Sequence, residues 1–318
     1  PYIDSTRQNW ITDYSVDLAA YRAGQQDWTG PPNLTQLHAI VTSVPDSIIE
    51  VIPKDPAVQA ALTFQMKNPI FQDVRVRRAM SLALDRAAIF KTAWQGACVP
   101  AEPVPWDYQG IPEPTLLKDQ GPWVKYDPAM AKKLLADAGH PNGFKTSLIY
   151  STAVAPDYLT VYQQAQAYWQ AVGIQLDFVV QEVTTALQSQ LNKSFDGLIA
   201  TQTVAGYDGD TMFPLWHTDS PLNFGSWSEQ QTEDLLKQER GLLDAAKRQQ
   251  AFRDLNAHLL DVLPALFIGA RHRMVALHPW VRGIEDDIHS WGGYWGSWQQ
   301  EQAWLLPSTP NGRGGKSA

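Results

Sequence analysis

Residues 61–90 read ALTFQMKNPIFQDVRVRRAMSLALDRAAIF, and their pattern decides how the rest of the chain is arranged. Leu62, Phe64 and Met66 alternate with Thr63, Gln65 and Lys67, the period of a half-buried strand. Pro69 disfavours helix at Asn68, so the strand gives way to an extended link. Asp73 then stands where an N-cap acceptor is wanted, and Val76, Ala79, Met80, Ala83 and Leu84 follow at three- and four-residue spacing as one apolar helical stripe. Asp85 starts a second helix, which Gly96 ends.

Downstream, five prolines between Trp94 and Gly121 predict a long ordered loop. Asp127 and Pro128 then restart a helix as N-cap and first helical residue. Strand Phe144–Tyr150, helix Asp157–Val172 stopped by Gly173, strand Ile174–Val180, helix 183–192 and strand Gly197–Gln202 follow in turn. Such alternation predicts a mostly parallel sheet covered on both faces. Ser228 with Gln231 reads as a capping box, Asp244 caps a further helix ending near Pro264, and Ala265–Ala270 is apolar enough for a buried strand. Upstream, residues 13–27 predict a short helix ended by Gly24, with strands over Leu37–Thr42 and Ser47–Ile52 around Pro45-Asp46.

Composition narrows the function. The 318 residues are 44% hydrophobic with net charge -8 and no basic run, which excludes a nucleic-acid groove built on clustered Lys and Arg and a polybasic membrane surface. No apolar run approaches the roughly 20 residues of a spanning helix. The opening Pro-Tyr-Ile is not a charged-then-apolar leader, so targeting information is expected to be absent or removed. Cys98, the single cysteine, excludes an internal disulfide and reads as a small buried apolar residue. Most of the 13 tryptophans are expected in the core, the rest being able to stack on a ligand.

Asn68, Pro69, Phe71, Asp73, Arg75, Val76, Arg77 and Ala79 form N-P-x-[LF]-x-D-x-R-V-R-x-A. A second block runs from Tyr126-Asp127-Pro128 through Ala131-Lys132-Lys133-Leu134-Leu135 to Ala138-Gly139 and Pro141-Asn142-Gly143-Phe144. Together they resemble the family 5 solute-binding proteins of bacterial ABC importers, the peptide, nickel and opine group, and the resemblance extends over residues 13–306. It implies an α/β, two-lobed fold of the periplasmic-binding-protein-like II kind, with the amino-terminal half of the usual chain missing. Residues 1–59 and 271–308 would belong to lobe I, 60–270 would form lobe II, and 309–318 a flexible tail. Strands 61–66 and 265–270 would lie side by side as a hinge. On that view, a β-branched residue at Gly269 is expected to hinder closure while sparing the stability of lobe II.

The implied function is capture of a ligand between two lobes outside the cytoplasmic membrane, in the periplasm or on the extracellular face, and delivery to an ABC permease. Expected partners are the ligand, the permease subunits, and the missing amino-terminal part or a second chain. No cofactor and no catalysis are expected: HExxH, GxSxG, phosphate loops and Cys-His zinc spacings do not occur. An enzyme or regulator on the same scaffold is the alternative of another class.

The resemblance also carries site residues. Residues 195–213, FDGLIATQTVAGYDGDTMF, stand where the family has FDxxxxGWxADxxDP. Gln202 and Ala205 replace the Trp and the ammonium-binding Asp of dipeptide-binding relatives. Arginine does not occur between Arg86 and Arg240, so bidentate grip of a free carboxylate is not expected from this lobe. Candidate ligand contacts are Phe64, Gln65, Thr152, Gln202, Thr203, Tyr207, Asn223 and Trp227, the last two from a turn similar to the family's N-[YF]-S-x-Y with Gly225 and Trp227 as departures. Amide, hydroxyl and aromatic groups of this kind suit an oligopeptide held through its backbone, with an oligosaccharide as the alternative. For metals, Asp208-Gly209-Asp210 lacks the remaining ligands of an EF-hand. His217 is a lone imidazole of the kind some nickel-complex binders use, and no metal site is expected.

Overall fold

The computed structural model describes residues 7, 9, 11, 13–52, 59–112, 121–201, 213–283, 304–306 and 309. The chain divides into two compact units, residues 56–270 and residues 1–55 with 271–318.

In chain order the first unit begins with helix α1 (Tyr14–Arg22), strand β1 (Trp28–Thr29), helix α2 (Leu34–Ser43) and strand β2 (Ile48–Ile52). Asp13 caps α1 by accepting from the Ser15 and Val16 amides. The expected strand at 37–42 is a helix. Asn33, extended at φ -159°, accepts from the Gln36 amide, and Leu37 and Ile40 then bury one helical face. The short apolar run LHAIV fits either period, and this cap decides between them.

The second unit opens with β3 (Gln59–Phe64), the one-turn helix α3 (Pro69–Gln72), α4 (Val74–Leu82) and α5 (Arg86–Trp94). The predicted link after Asn68 is thus partly helical: Asn68 stays extended and caps α3, with Pro69 at its first position. Asp73 and Asp85 cap α4 and α5 as their positions predict. The stretch predicted as loop contains strand β4 (Cys98–Pro100) and the one-turn helix α6 (Trp106–Gln109). Then come α7 (Pro128–Asp137), capped by Asp127, β5 (Lys145–Ser151), α8 (Pro156–Ala171), β6 (Gln175–Gln181), α9 (Val183–Leu191), β7 (Leu198–Thr201) and α10 (Phe213–Trp216). Helices α11 (Gln230–Arg240) and α12 (Ala245–Val262) and strand β8 (Ala265–Arg271) close the unit. The capping box at Ser228 does not form. Glu229 occupies the N-cap of α11 without a side-chain cap bond, and the Ser228 hydroxyl instead lies 3.4 Å from the Thr218 hydroxyl.

These strands form a six-stranded sheet in the order β4-β8-β3-β7-β5-β6. It is mixed rather than mostly parallel. Helical crossovers make β5 parallel to β6 and β7, whereas β3 runs antiparallel to both β7 and β8. Strands 61–66 and 265–270, distant in sequence, are therefore neighbours. Alternation along β3 and β8 serves two cores. Leu62, Phe64, Leu266 and Ile268 enter the cluster under α4, α5, α7 and α8, while Ala61, Ala265 and Phe267 meet Leu236, Phe252, Leu255 and Leu259 of α11 and α12.

Two buried arginines lock the helices on this frame. Arg86 gives its guanidinium hydrogens to the Phe267, Ser81 and Val124 carbonyls and the Ser81 hydroxyl. Arg77 donates to the Val262, Leu263, Phe71 and Gln72 carbonyls. Burial pulls both guanidinium groups down to about 10. Burial likewise pushes the Cys98 thiol up to about 12; the residue itself is part-buried rather than fully buried as expected.

The first unit is completed by β9 (Arg273–Leu277), β10 (Val281–Arg282) and β11 (Trp304–Leu305). Its three-stranded sheet has the order β1-β9-β2, and β10 pairs antiparallel with β11. Tyr21, His278 and Trp280 stack with centroids 4.1 and 4.0 Å apart. Of the tail, Thr309 is described, and it is buried; Trp291, Tyr294, Trp295 and Trp298 lie outside the described residues.

Candidate functional site

The turn 222–227 and the end of β3 create the concave surface of the second unit. Asn223 organises the turn. Its side-chain amide donates to the His217 and Trp227 carbonyls at 3.1 and 2.7 Å, and its carbonyl oxygen accepts from the Trp227 amide at 2.9 Å. The Met66 amide donates to Gly225 O at 2.8 Å. At Gly225 a Cβ would run into Phe64 O and the Thr63 methyl, so glycine is what lets the turn lie flat on the strand.

The resulting concavity, about 370 Å³ counting the solvent at its mouth, is lined by Thr63, Thr201, Leu215, Trp216, Leu222, Asn223, Phe224, Gly225, Trp227 and Pro264. No charged residue is among them. Thr63 and Thr201 pair through their hydroxyls at 2.8 Å, as cross-strand threonines on β3 and β7 can. The Trp227 indole donates to the Thr232 hydroxyl at 3.1 Å, which in turn donates to Glu229 Oε2 at 2.7 Å. Glu229 also takes a 2.6 Å bond from His258 Nε2, and the Arg77 guanidinium lies over the Trp227 ring at 5.3 Å.

His217 sits at the end of α10 with Nδ1 2.7 Å from Glu233 Oε2, its ring stacked on Phe213. Glu233 Oε1 accepts from the Thr218 amide and hydroxyl at 2.7 and 2.8 Å. Burial alone would push the Glu233 carboxyl up. The bonds from Thr218 and His217 outweigh it and hold the group below its ordinary value. Among the described residues no three His, Cys, Asp or Glu side chains gather as a metal site, and His217 is oriented by a carboxylate instead. Asp208 and Asp210 lie outside the described residues.

The sequence candidates fall into three groups. Asn223 and Trp227 come together in the concavity. Phe64 has no exposed surface and packs against Phe71 at 5.0 Å in the large core. Gln65 is also buried, donating to Lys193 O at 3.1 Å and accepting from the Lys67 amide at 3.2 Å. Thr152 is exposed beyond β5, 3.4 Å from Glu182 Oε2, and does not line the concavity. Gln202, Thr203 and Tyr207 lie outside the described residues. Thr63, Thr201, Leu215, Trp216 and Pro264 were not singled out by sequence. Thr63 and Thr201 each precede a residue that was, and Trp216 drew notice only as the neighbour of His217.

The family described as bacterial extracellular solute-binding proteins, family 5 Middle, matches residues 1–224. The dipeptide-binding protein of Escherichia coli K12 is 29% identical over 286 residues, 84% of this chain and 50% of that protein. Heme-binding protein A of Haemophilus influenzae is 24% identical over 302 residues, 90% of this chain and 52% of that protein. The chain thus spans about half the length of these curated relatives. Among solved structures, the ABC transporter-associated periplasmic binding protein DppA of Helicobacter pylori, in complex with the peptide STSA, superposes with a TM-score of 0.71 at 21% identity, over 86% of this chain and 52% of that one. With a profile match over most of its length and this shared fold, the chain belongs to the bacterial extracellular solute-binding proteins, family 5.

Proposed function

We propose that the protein of which this chain is part captures a solute outside the cytoplasmic membrane and delivers it to an ABC permease, the solute being an oligopeptide held through its backbone. The observation that carries the peptide reading is the concavity between β3, β7 and the 222–227 turn, walled, among the described residues, by aromatic, aliphatic, hydroxyl and amide groups and by no charge. Such a surface suits neutral polar groups and their apolar substituents. Buried Arg77 and Arg86 spend their donors on carbonyls, so neither offers a fork to a free carboxylate. A buried ammonium without a carboxylate costs about 3 kcal/mol or more.

Relatives in the family are named for dipeptide and heme binding, so membership by itself leaves the solute open and the chemistry of the walls selects among them. Asn223 and Trp227 form part of the wall in this reading, and Gln202, Thr203 and Tyr207 are proposed as further ligand contacts on the family resemblance. Thr152 is a contact at its margin. Residues 60–270 are taken as lobe II, with 1–59 and 271–308 as part of lobe I. A site outside the membrane accords with the family, and no described helix is long and apolar enough to cross a bilayer. A binding role, without catalysis, is what the named relatives have in common.

A mass spectrum of small molecules released from the gently purified protein by denaturation tests the proposal. Peptides are the expected species. An oligosaccharide or heme as the sole released solute would overturn the peptide assignment.

A further inference from the structure

Strand β6, QLDFVVQ, ends the six-stranded sheet, and among the described residues β5 is the only strand it pairs with. The ladder shows which of its backbone groups face outward. Gln175 N donates to Phe144 O and Gln181 O accepts from Thr152 N, so residues 175, 177, 179 and 181 turn their peptide groups to β5. Leu176, Phe178 and Val180 turn theirs to the open edge, as alternate residues of a paired strand must. Gln166 of α8 agrees with this and narrows it. Its Nε2 donates to Leu176 O at 2.6 Å, which occupies one end of the edge and leaves, among the described residues, the amides and carbonyls of Phe178 and Val180 as the pairing groups. Proline, lysine and a bulge, the common guards of an exposed strand, do not occur in β6. Its one charge, Asp177, is matched by Lys145 of β5 at 2.8 Å. Val179 and Val180, on opposite faces of the sheet, are 38% and 53% exposed.

We propose that β6 is the interface of a homodimer, in which two copies of this chain pair their β6 strands antiparallel about a two-fold axis at Val179 and join their sheets into one. The register follows from the open groups. With Val179 on the axis, Phe178 of each copy stands opposite Val180 of the other, and their amides and carbonyls close as two reciprocal pairs. Leu176 O stays with Gln166. An axis at Phe178 would instead set the Val180 amide against that engaged carbonyl. The same register places Val179 against Val179 and Asp177 against Gln181, whose side-chain amide is a donor for a carboxylate, so no like charges meet. A second copy is therefore the partner this edge fits. It matches itself as an isologous contact requires, and with a single carboxylate already paired to Lys145 it has no charge with which to select a partner of opposite sign. The inference is independent of the solute-capture reading.

Sedimentation velocity of the full chain over a concentration series tests it. A reversible monomer–dimer equilibrium is expected, and Val179→Lys, which sets two ammonium groups face to face on the axis, should raise the dissociation constant at least about tenfold, the equivalent of about 1.4 kcal/mol. Far-UV circular dichroism of the variant should match the parent's, since Val179 is exposed. A second variant reads the register directly and does not depend on the first. Residues facing each other in a non-hydrogen-bonded antiparallel pair have Cα atoms about 4.5 Å apart, a span that a disulfide bridges. In a Cys98→Ala background, Val179→Cys should therefore form a disulfide-linked dimer under mild oxidation, well ahead of Val183→Cys, which is exposed just beyond the strand. A chain that stays monomeric up to its solubility would overturn the proposal, in favour of a foreign strand or an edge that stays bare. A dimer indifferent to Val179→Lys, or cross-linking no faster at 179 than at 183, would overturn it by placing the contact on another surface.

Discussion

Gly269 is defined by what it leaves out: a Cβ there would lie 2.5 Å from Phe90 Cε1 and 2.8 Å from Trp94 Cζ3. The expectation that a β-branched residue would spare this unit's stability is therefore corrected, because two rings of α5 already fill the space. Gly269→Val should lower the urea unfolding free energy by about 1–3 kcal/mol, the usual cost of overpacking; an unchanged midpoint would contradict the packing described. Glu233 gives a second test with a sign. Its carboxyl is held below its ordinary value of 4.5, so it contributes stability above that pH and loses it as pH falls through the depressed value. Glu233→Gln should be destabilised by about 1–3 kcal/mol at neutral pH, and unfolding midpoints measured against pH should converge with the parent's in acid. A gap independent of pH would rule the linkage out. Residue-scale features were legible in sequence where they are local: Asp73, Asp85, Asp127 and Asp244 all cap helices as their positions predict. Trp216 was not, since its contact with the Phe267 ring is made by residues distant along the chain.

At the scale of elements, α12 ends on a left-handed Leu263 with φ 49°, and Arg77 donates to its Val262 and Leu263 carbonyls while Arg78 donates to Asp261 O. The planar fork reaches carbonyls on two elements at once, a geometry that an ammonium cannot reproduce. Arg77→Lys should therefore cost roughly 2–5 kcal/mol in denaturant titration, and a loss within error of zero would show that water replaces the fork. The alternating run β5-α8-β6-α9-β7 was readable because each period persists over a whole element. Strand direction at β3 and β8 was not, because an apolar strand carries no mark of which way its partner runs. The helix Leu34–Ser43 departs from the strand expected at 37–42 for a related reason: over five residues an apolar run satisfies both periods, and the deciding Asn33 lies outside it.

For the whole molecule, family membership was legible in two ordered motifs, whose residues turn out to be structural. Asn68, Asp73 and Asp127 cap helices, and Arg77 ties α4 to α12. Such motifs report the scaffold, and the solute must be read from the walls. On the proposed reading, those walls favour neutral groups over charged termini. Titration calorimetry of the protein with a doubly blocked peptide and its unblocked dipeptide counterpart tests it most directly. Saturable heat is expected for the blocked peptide, with binding of the free dipeptide at least about tenfold weaker, a difference of about 1.4 kcal/mol or more. Equal or tighter binding of the unblocked dipeptide would contradict it.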